Sequence, residues 1–262
     1  MAEAGTSSLP VRCCHPNFSF PNHDDDDNFR YGNINDKSPL LFGISLYQQK
    51  NLELYIEGRR PFDARKLFDN AGIAPPNTPY LSQIPCSWGA VYFPEHWREF
   101  HTYVACRLTD PSLSLKKDIV PNVRSSRWQR SWKKYFIEMV FLRGYMMLYP
   151  NYANFSSLST NHLEPGAHVK RQPRAVFDKK RGLFDLPLMP LPDVNASEVL
   201  GTGLLDLPES VMPVWDALPV LDLHGSVVSA ELIVDRGKAR RPEVFGCTDP
   251  PIQYDALSLL CL

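Results

Sequence analysis

Proline constrains this chain more than any other residue. There are 24 prolines against 14 glycines, and the prolines gather at 61–94, 187–219 and 242–251. Each one fixes φ and removes a backbone donor, so an element interior that contains one loses a hydrogen bond. The pattern predicts short elements joined by extended connections, with few long uninterrupted helices. With 262 residues and 44% hydrophobic content the chain can bury one sizeable core, and its formal net charge of −1 gives no general bias toward polyanions. No window approaches the roughly 18–20 apolar residues of a spanning helix. Residues 1–10 have neither the basic start nor the apolar run of a signal peptide, so the sequence as it stands reads as soluble and not secreted.

Residues 1–37 are polar, include the acidic run 24–27 and show little apolar periodicity, so they read as a loosely attached leader. The character changes at Ser38. A mostly apolar run at 40–47, bounded by Pro39 and by Gln48, Gln49 and Lys50, suits a strand buried on both faces. A second strand is expected at 89–93. Pro94 stops it and is well placed to open a helix in which Trp97, Phe100, Val104 and Leu108 recur on one face. The clearest helix is expected over 126–143, with Ser125 or Ser126 as cap and Gly144 as stop. Its apolar stripe would be Trp128, Trp132, Tyr135, Phe136, Met139, Val140 and Leu142. A buried strand at 145–149 follows at once, and a helix running straight into a strand is a crossover unit of an α/β sheet. These readings give a core over 38–170. Beyond about 170 the prolines interrupt nearly every apolar run, which predicts a Pro-rich extended arm over 171–262 with room for one short hairpin.

Several groups could carry chemistry, and each also has a plain structural reading. The run 24–27 offers several carboxylates to a hard cation, or is simply a solvated acidic loop. His162 and His168 bracket Glu164 in a polar loop after a core strand, where imidazole and carboxylate could hold a metal or act as base, or could merely brace the loop. The basic and aromatic segment from Arg124 to Lys134 could meet phosphates and bases. The tryptophans there share the stripe with Phe136 and Met139, however. The better reading is a core helix whose Arg127, Lys133 and neighbours form a solvated face or meet a phosphate or sugar hydroxyl, with no nucleic acid bound. Trp88, at the start of a strand, could stack on a sugar ring or pack at the sheet edge. The six cysteines show no CxxC pair and no zinc-ligand spacing, leaving free thiols or one or two disulfides as alternatives.

Three long strings are more specific: PCSWGAVYFPEHWREF at 85–100, SWKKYFIEMVFLRGYMMLYPNY at 131–152 and SLSTNHLEPGAHV at 157–169. Together with SPLLFGISLY at 38–47, PYLSQIPCSWG at 79–89 and, more faintly, FDLPLM at 184–189 and LPVLDL at 218–223, they resemble the plant and fungal proteins described as glycosyltransferase family 2-like. The resemblance covers most of residues 38–225. It implies a GT-A-like fold, a Rossmann-type sheet flanked by helices, transferring sugar from a nucleotide-sugar to a glycan or protein acceptor with a divalent metal, Mn or Mg. Such members are in some cases membrane-anchored in the secretory pathway. The donor half with its acidic motif would precede Ser38, where a short polar leader stands, so the sheet is expected to be incomplete at its N-terminus and the metal to be bound weakly or not at all. On this reading His162 and His168 are the metal or diphosphate ligands. The base is drawn from Glu138, Glu95, Glu164 and Glu99, and Trp88, Trp128, Arg127 and Lys133 meet the substrate. The loop 161–168 is then expected at the carboxyl ends of the strands near Leu46 and Phe93, sharing a cleft with Trp88 or Glu95. The rival reading is a non-catalytic module that holds a glycan or a protein on Trp88, Trp128 and the basic helix face.

Overall fold

The computed structural model describes residues 38–110, 113, 115, 117–161, 173–182, 185–189 and 206–262. They form a mixed α/β structure around a six-stranded sheet in the order β5-β1-β6-β4-β7-β8. The strands are β1 (Leu41–Ser45), β4 (Tyr80–Ser82), β5 (Ala90–Tyr92), β6 (Met146–Tyr149), β7 (Val220–Leu221) and β8 (Val227–Val228), with β2 (Asn51–Leu52) and β3 (Arg60–Pro61) in a separate small ladder. β1 runs parallel to β6, and β4 parallel to β7. The β1–β5, β6–β4 and β7–β8 pairs are antiparallel.

Alternation along the strands divides the core in two. Phe42, Tyr80, Met147, Tyr149 and Leu221 belong to the larger apolar cluster, while Leu41, Leu81, Met146 and Val220 join Leu218 and Ile233 in a smaller one on the other face. Six α-helices are described: α1 (Ala64–Ala71), α2 (Pro94–Thr109), α3 (Trp132–Arg143), α4 (Arg174–Arg181), α5 (Ala230–Phe245) and α6 (Ala256–Leu260). The α3 helix is buried on nearly every side from Phe136 to Leu142, as a helix enclosed by other elements must be. Phe136 meets the rings of Phe42 at 5.3 Å, Tyr92 at 5.2 Å and Phe100 at 4.5 Å, locking the sheet, α3 and α2 together. On another side α5 approaches closely because Gly237 has no side chain: a Cβ there would strike the Phe141 and Leu142 carbonyls.

The strands expected at 40–47, 89–93 and 145–149 form, each a little shorter, and the helix opening at Pro94 forms as well. Its inner face differs from the expected one. His96, Glu99, Phe100, Tyr103 and Cys106 are buried, whereas Trp97 and Leu108 are exposed. The rotation turns two polar groups inward: Glu99 accepts from Arg143 and from the Tyr145 hydroxyl, and His96 Nε2 lies 3.1 Å from the Pro39 carbonyl while its Nδ1 has no hydrogen-bond partner among the described residues. The helix expected over 126–143 begins only at Trp132. Residues Arg124–Arg127 form a separate 3-10 turn, and Trp128, extended at φ −81° and ψ 97°, joins the two. Phe136 and Met139 are buried as expected, but Trp132 remains 45% exposed and Trp128 only half-buried.

The extended arm expected over 171–262 takes a different form after residue 206. Here β7 pairs with β4, β8 continues the sheet, and α5 and α6 pack on the core. Pro219 sits just ahead of β7, where it breaks no ladder bond, and its carbonyl accepts from Leu81 N. Ser229 caps α5 through Leu232 N, and Pro242 falls in the last turn of that helix, so neither residue shortens an element. Asp255 caps α6, and a Cys247–Cys261 disulfide ties α6 back to the end of α5. Cys86 and Cys106 are buried and lie outside that disulfide.

Candidate functional site

The carboxyl end of β1 carries the densest convergence of expected residues. Leu46 donates to the Gly89 carbonyl and accepts from Ser159 N, so the exits of β1, β6 and the entry to β5 meet there. Gly89 is required at this crossing, because the Ser159 side chain fills the space a Cβ would occupy. The chain after β6 is stitched to the same edge: Ser157 Oγ donates to the Leu46 carbonyl and accepts from Gln48 N, and the Gln48 amide bridges both backbone groups of Tyr152. These bonds hold Tyr47 and Trp88 edge to face, 5.2 Å apart.

Against that aromatic pair lies an ion cluster assembled from three distant segments. Lys133, from the first turn of α3, places Nζ 5.8 Å from the Trp88 ring centre and donates to Glu53 Oε1. Arg59 Nη2 lies 3.9 Å from the other oxygen of Glu53. Burial alone would raise the Glu53 carboxyl, but Lys133, Arg59 and Arg124 outweigh it and hold the group below the usual carboxylate range. Burial likewise pushes the Tyr47 phenol well above its ordinary value. Tyr149 closes the floor, its hydroxyl donating to the Ile84 carbonyl at 2.9 Å. The cleft among these residues is shallow, with about 30 Å³ of inner space, room for about one water. A carboxylate already committed to two cations is a poor proton acceptor, so the cluster is equipped to position and recognise.

Of the residues singled out in the sequence, Trp88 and Lys133 come together here, and the other described ones lie elsewhere. Glu138 lies elsewhere on α3, buried, accepting from Arg107 Nε at 3.1 Å and from the Tyr103 hydroxyl at 3.2 Å. Glu95 sits in the first turn of α2, with one oxygen 3.8 Å from Arg98 and the other buried without a partner among the described residues. Arg127 is exposed on the 3-10 turn, and Trp128 packs at the core margin with the Arg124 guanidinium 5.7 Å from its ring. Glu99 is locked to Arg143. His162, Glu164 and His168, like the acidic run 24–27, lie outside the described residues. Among the described residues no three His, Cys, Asp or Glu side chains converge to hold a metal ion. Sequence reasoning missed Glu53 and Arg59. The only signal for Glu53 was a charge set between Leu52 and Leu54, both of which are buried.

Fold and pocket thus define a mixed α/β structure with an aromatic and ionic pocket at the end of a parallel strand. A family described as the SPBC1E8.03c C-terminal domain matches residues 55–113, a stretch that includes Arg59, Trp88 and all of α2. No curated protein and no solved structure matches the chain. No helix among the described residues is long and apolar enough to cross a membrane.

Proposed function

We propose that this chain is an acceptor-side recognition domain of a glycosyltransferase-like protein, holding a sugar ring against Trp88 without itself carrying out transfer. The observation that carries the reading is the convergence of Trp88 with Lys133, Glu53 and Arg59 at the carboxyl end of β1. Open α/β sheets gather their ligands at that end. An indole flanked by fixed cations offers an apolar face to the C–H side of a sugar and donors to its hydroxyls. Two of the four carboxylates that the resemblance offers as general base favour recognition over transfer: Glu138 is tied to Arg107 and Tyr103, and Glu99 to Arg143.

The test is titration of the purified chain with a panel of mono- and oligosaccharides, read by tryptophan fluorescence and calorimetry. Sugar binding that falls about tenfold or more in Trp88→Ala is expected, since losing a stacking aromatic costs about 1–2 kcal/mol. Binding that ignores Trp88→Ala, or none to any sugar, overturns the reading. Metal-dependent hydrolysis of a nucleotide-sugar by the same chain would overturn its non-catalytic half.

A further inference from the structure

A second, larger cleft of about 470 Å³ opens at the carboxyl ends of the other parallel pair, β4 and β7. Gln83 and Asp222, the residues immediately after those two strands, stand side by side in its wall, with Gln83 N donating to the Leu221 carbonyl. The opposite wall is α5, which contributes Arg236, Ala239, Arg240 and Glu243. Phe141, Val120 and Leu223 supply an apolar surface.

The charges of this cleft are matched in pairs. Asp222 Oδ1 accepts from the backbone of His224 and Ser226, fixing the β7–β8 turn, and Oδ2 lies 3.0 Å from Arg236. Arg240 is paired with Glu243 and also donates to the Ile119 carbonyl. His224 turns Nε2 to the Asn122 carbonyl at 3.3 Å. With two cations facing two carboxylates, the walls favour neither an anion nor a cation.

Gln83 breaks the pattern of satisfaction. It is 2% exposed, and its Nε2 has no hydrogen-bond partner among the described residues. Buried amides are nearly always paired, and an apolar residue of the same length would serve packing better. An unmet donor in the wall of a ligand-sized cleft is the mark of a site whose partner is the ligand.

We propose that this cleft is a binding site for a neutral small molecule that presents an acceptor oxygen, a sugar hydroxyl or an amide carbonyl, to the Gln83 amide while its apolar face rests near Phe141. It is a site apart from the Trp88 pocket and does not depend on sugar being held there. The test is amide-detected NMR of the whole chain, with the Gln83 side-chain pair assigned by its absence in Gln83→Met. The probes are methyl glucoside and N-acetylglucosamine for the saccharide source, uridine and adenosine for the carbonyl source, and inorganic phosphate as the charged control. One neutral probe is expected to shift the Gln83 pair saturably. Its affinity should fall about tenfold in Gln83→Met and stay unchanged in Trp88→Ala. Ala239→Trp, at an exposed position on the rim of the cleft, should block the probe even if Gln83→Met does not fold. The proposal is overturned if no neutral probe moves the Gln83 pair, if phosphate binds more tightly than all of them, or if Ala239→Trp leaves binding intact.

Discussion

Replacing Arg143 by methionine removes the cation facing Glu99 while keeping most of the apolar stem. Their side chains are only 7% and 0% exposed. Arg143 Nε lies 2.7 Å from Glu99 Oε1, and the Tyr145 hydroxyl 2.6 Å from Oε2. Arg143 Nη2 also donates to the carbonyls of Ile252 and Asp255, fastening the segment ahead of α6. Removing one partner of a buried pair costs about 3–5 kcal/mol, because the other charge is left uncompensated. Water can reach the Ile252 carbonyl region, where the side chain is 66% exposed, so that bond adds little. A loss of about 3–4 kcal/mol near neutral pH is expected, a large share of the roughly 5–15 kcal/mol that a domain commands. Burial holds the Glu99 carboxyl above its ordinary value despite Arg143 and Tyr145. With the folded pKa above the unfolded one, the stability Glu99 contributes is full below the unfolded value and is lost as pH rises through the folded value. Without Arg143 the carboxyl moves further up, so the deficit of the variant should shrink between about pH 7.5 and about pH 5 as Glu99 takes up its proton. Urea unfolding followed by tryptophan fluorescence at both pH values measures this. A loss below about 1 kcal/mol at the higher pH, or an equal loss at both, refutes the reasoning.

Four further outcomes are expected. The double substitution of Cys247 and Cys261 by serine should lower stability by about 3 kcal/mol or less in denaturant, as predicted for a loop of this size, the two cysteines being 14 residues apart. Over the same range the buried Cys86 and Cys106 should stay unreactive to a thiol reagent until the chain unfolds. Gly237→Ala should cost about 1–3 kcal/mol, since the new Cβ meets backbone carbonyls of α3 that cannot swing aside; an unchanged urea midpoint would show that α5 can retreat. The Glu53 carboxyl is held below its ordinary value by its cations, so its contribution is present above the unfolded pKa and lost as pH falls through the folded one. Glu53→Gln should therefore flatten the acid limb of the stability curve, and identical limbs in the variant and the parent would count against the ion cluster.

The elements that could be read from sequence were those whose apolar runs agree with their final burial. The runs at 40–47 and 145–149 become the interior strands β1 and β6, and Gly144 ends α3 in the left-handed region at φ +70°. Where a buried face includes charge, the pattern misleads. The inner face of α2 contains His96 and Glu99, which no hydrophobic periodicity marks, and so Trp97 and Leu108 took their place in the reading. The prolines misled in the opposite way. Pro219 and Pro242 punctuate the sequence yet sit at the edge of a strand and in the last turn of a helix, where the missing donor costs little. The candidate site was half legible. Trp88 stood out by its type and place, but its partners Glu53 and Arg59 approach through tertiary folding, which leaves no local mark.

The place of β7 in the sheet has a consequence for how the chain is made. β4 has β6 on one side and β7 on the other, and its second neighbour begins only at Val220, long after Tyr80 has been synthesised. During translation, the edge of β4 that β7 later covers is an unpaired row of backbone donors and acceptors. Only when the hairpin turning at Gly225 has left the ribosome, with α5 and α6 behind it, can that row be covered. A nascent chain stalled before this point presents a template for pairing with its neighbours on the polysome, and shielding of that edge by a chaperone would matter most in that interval.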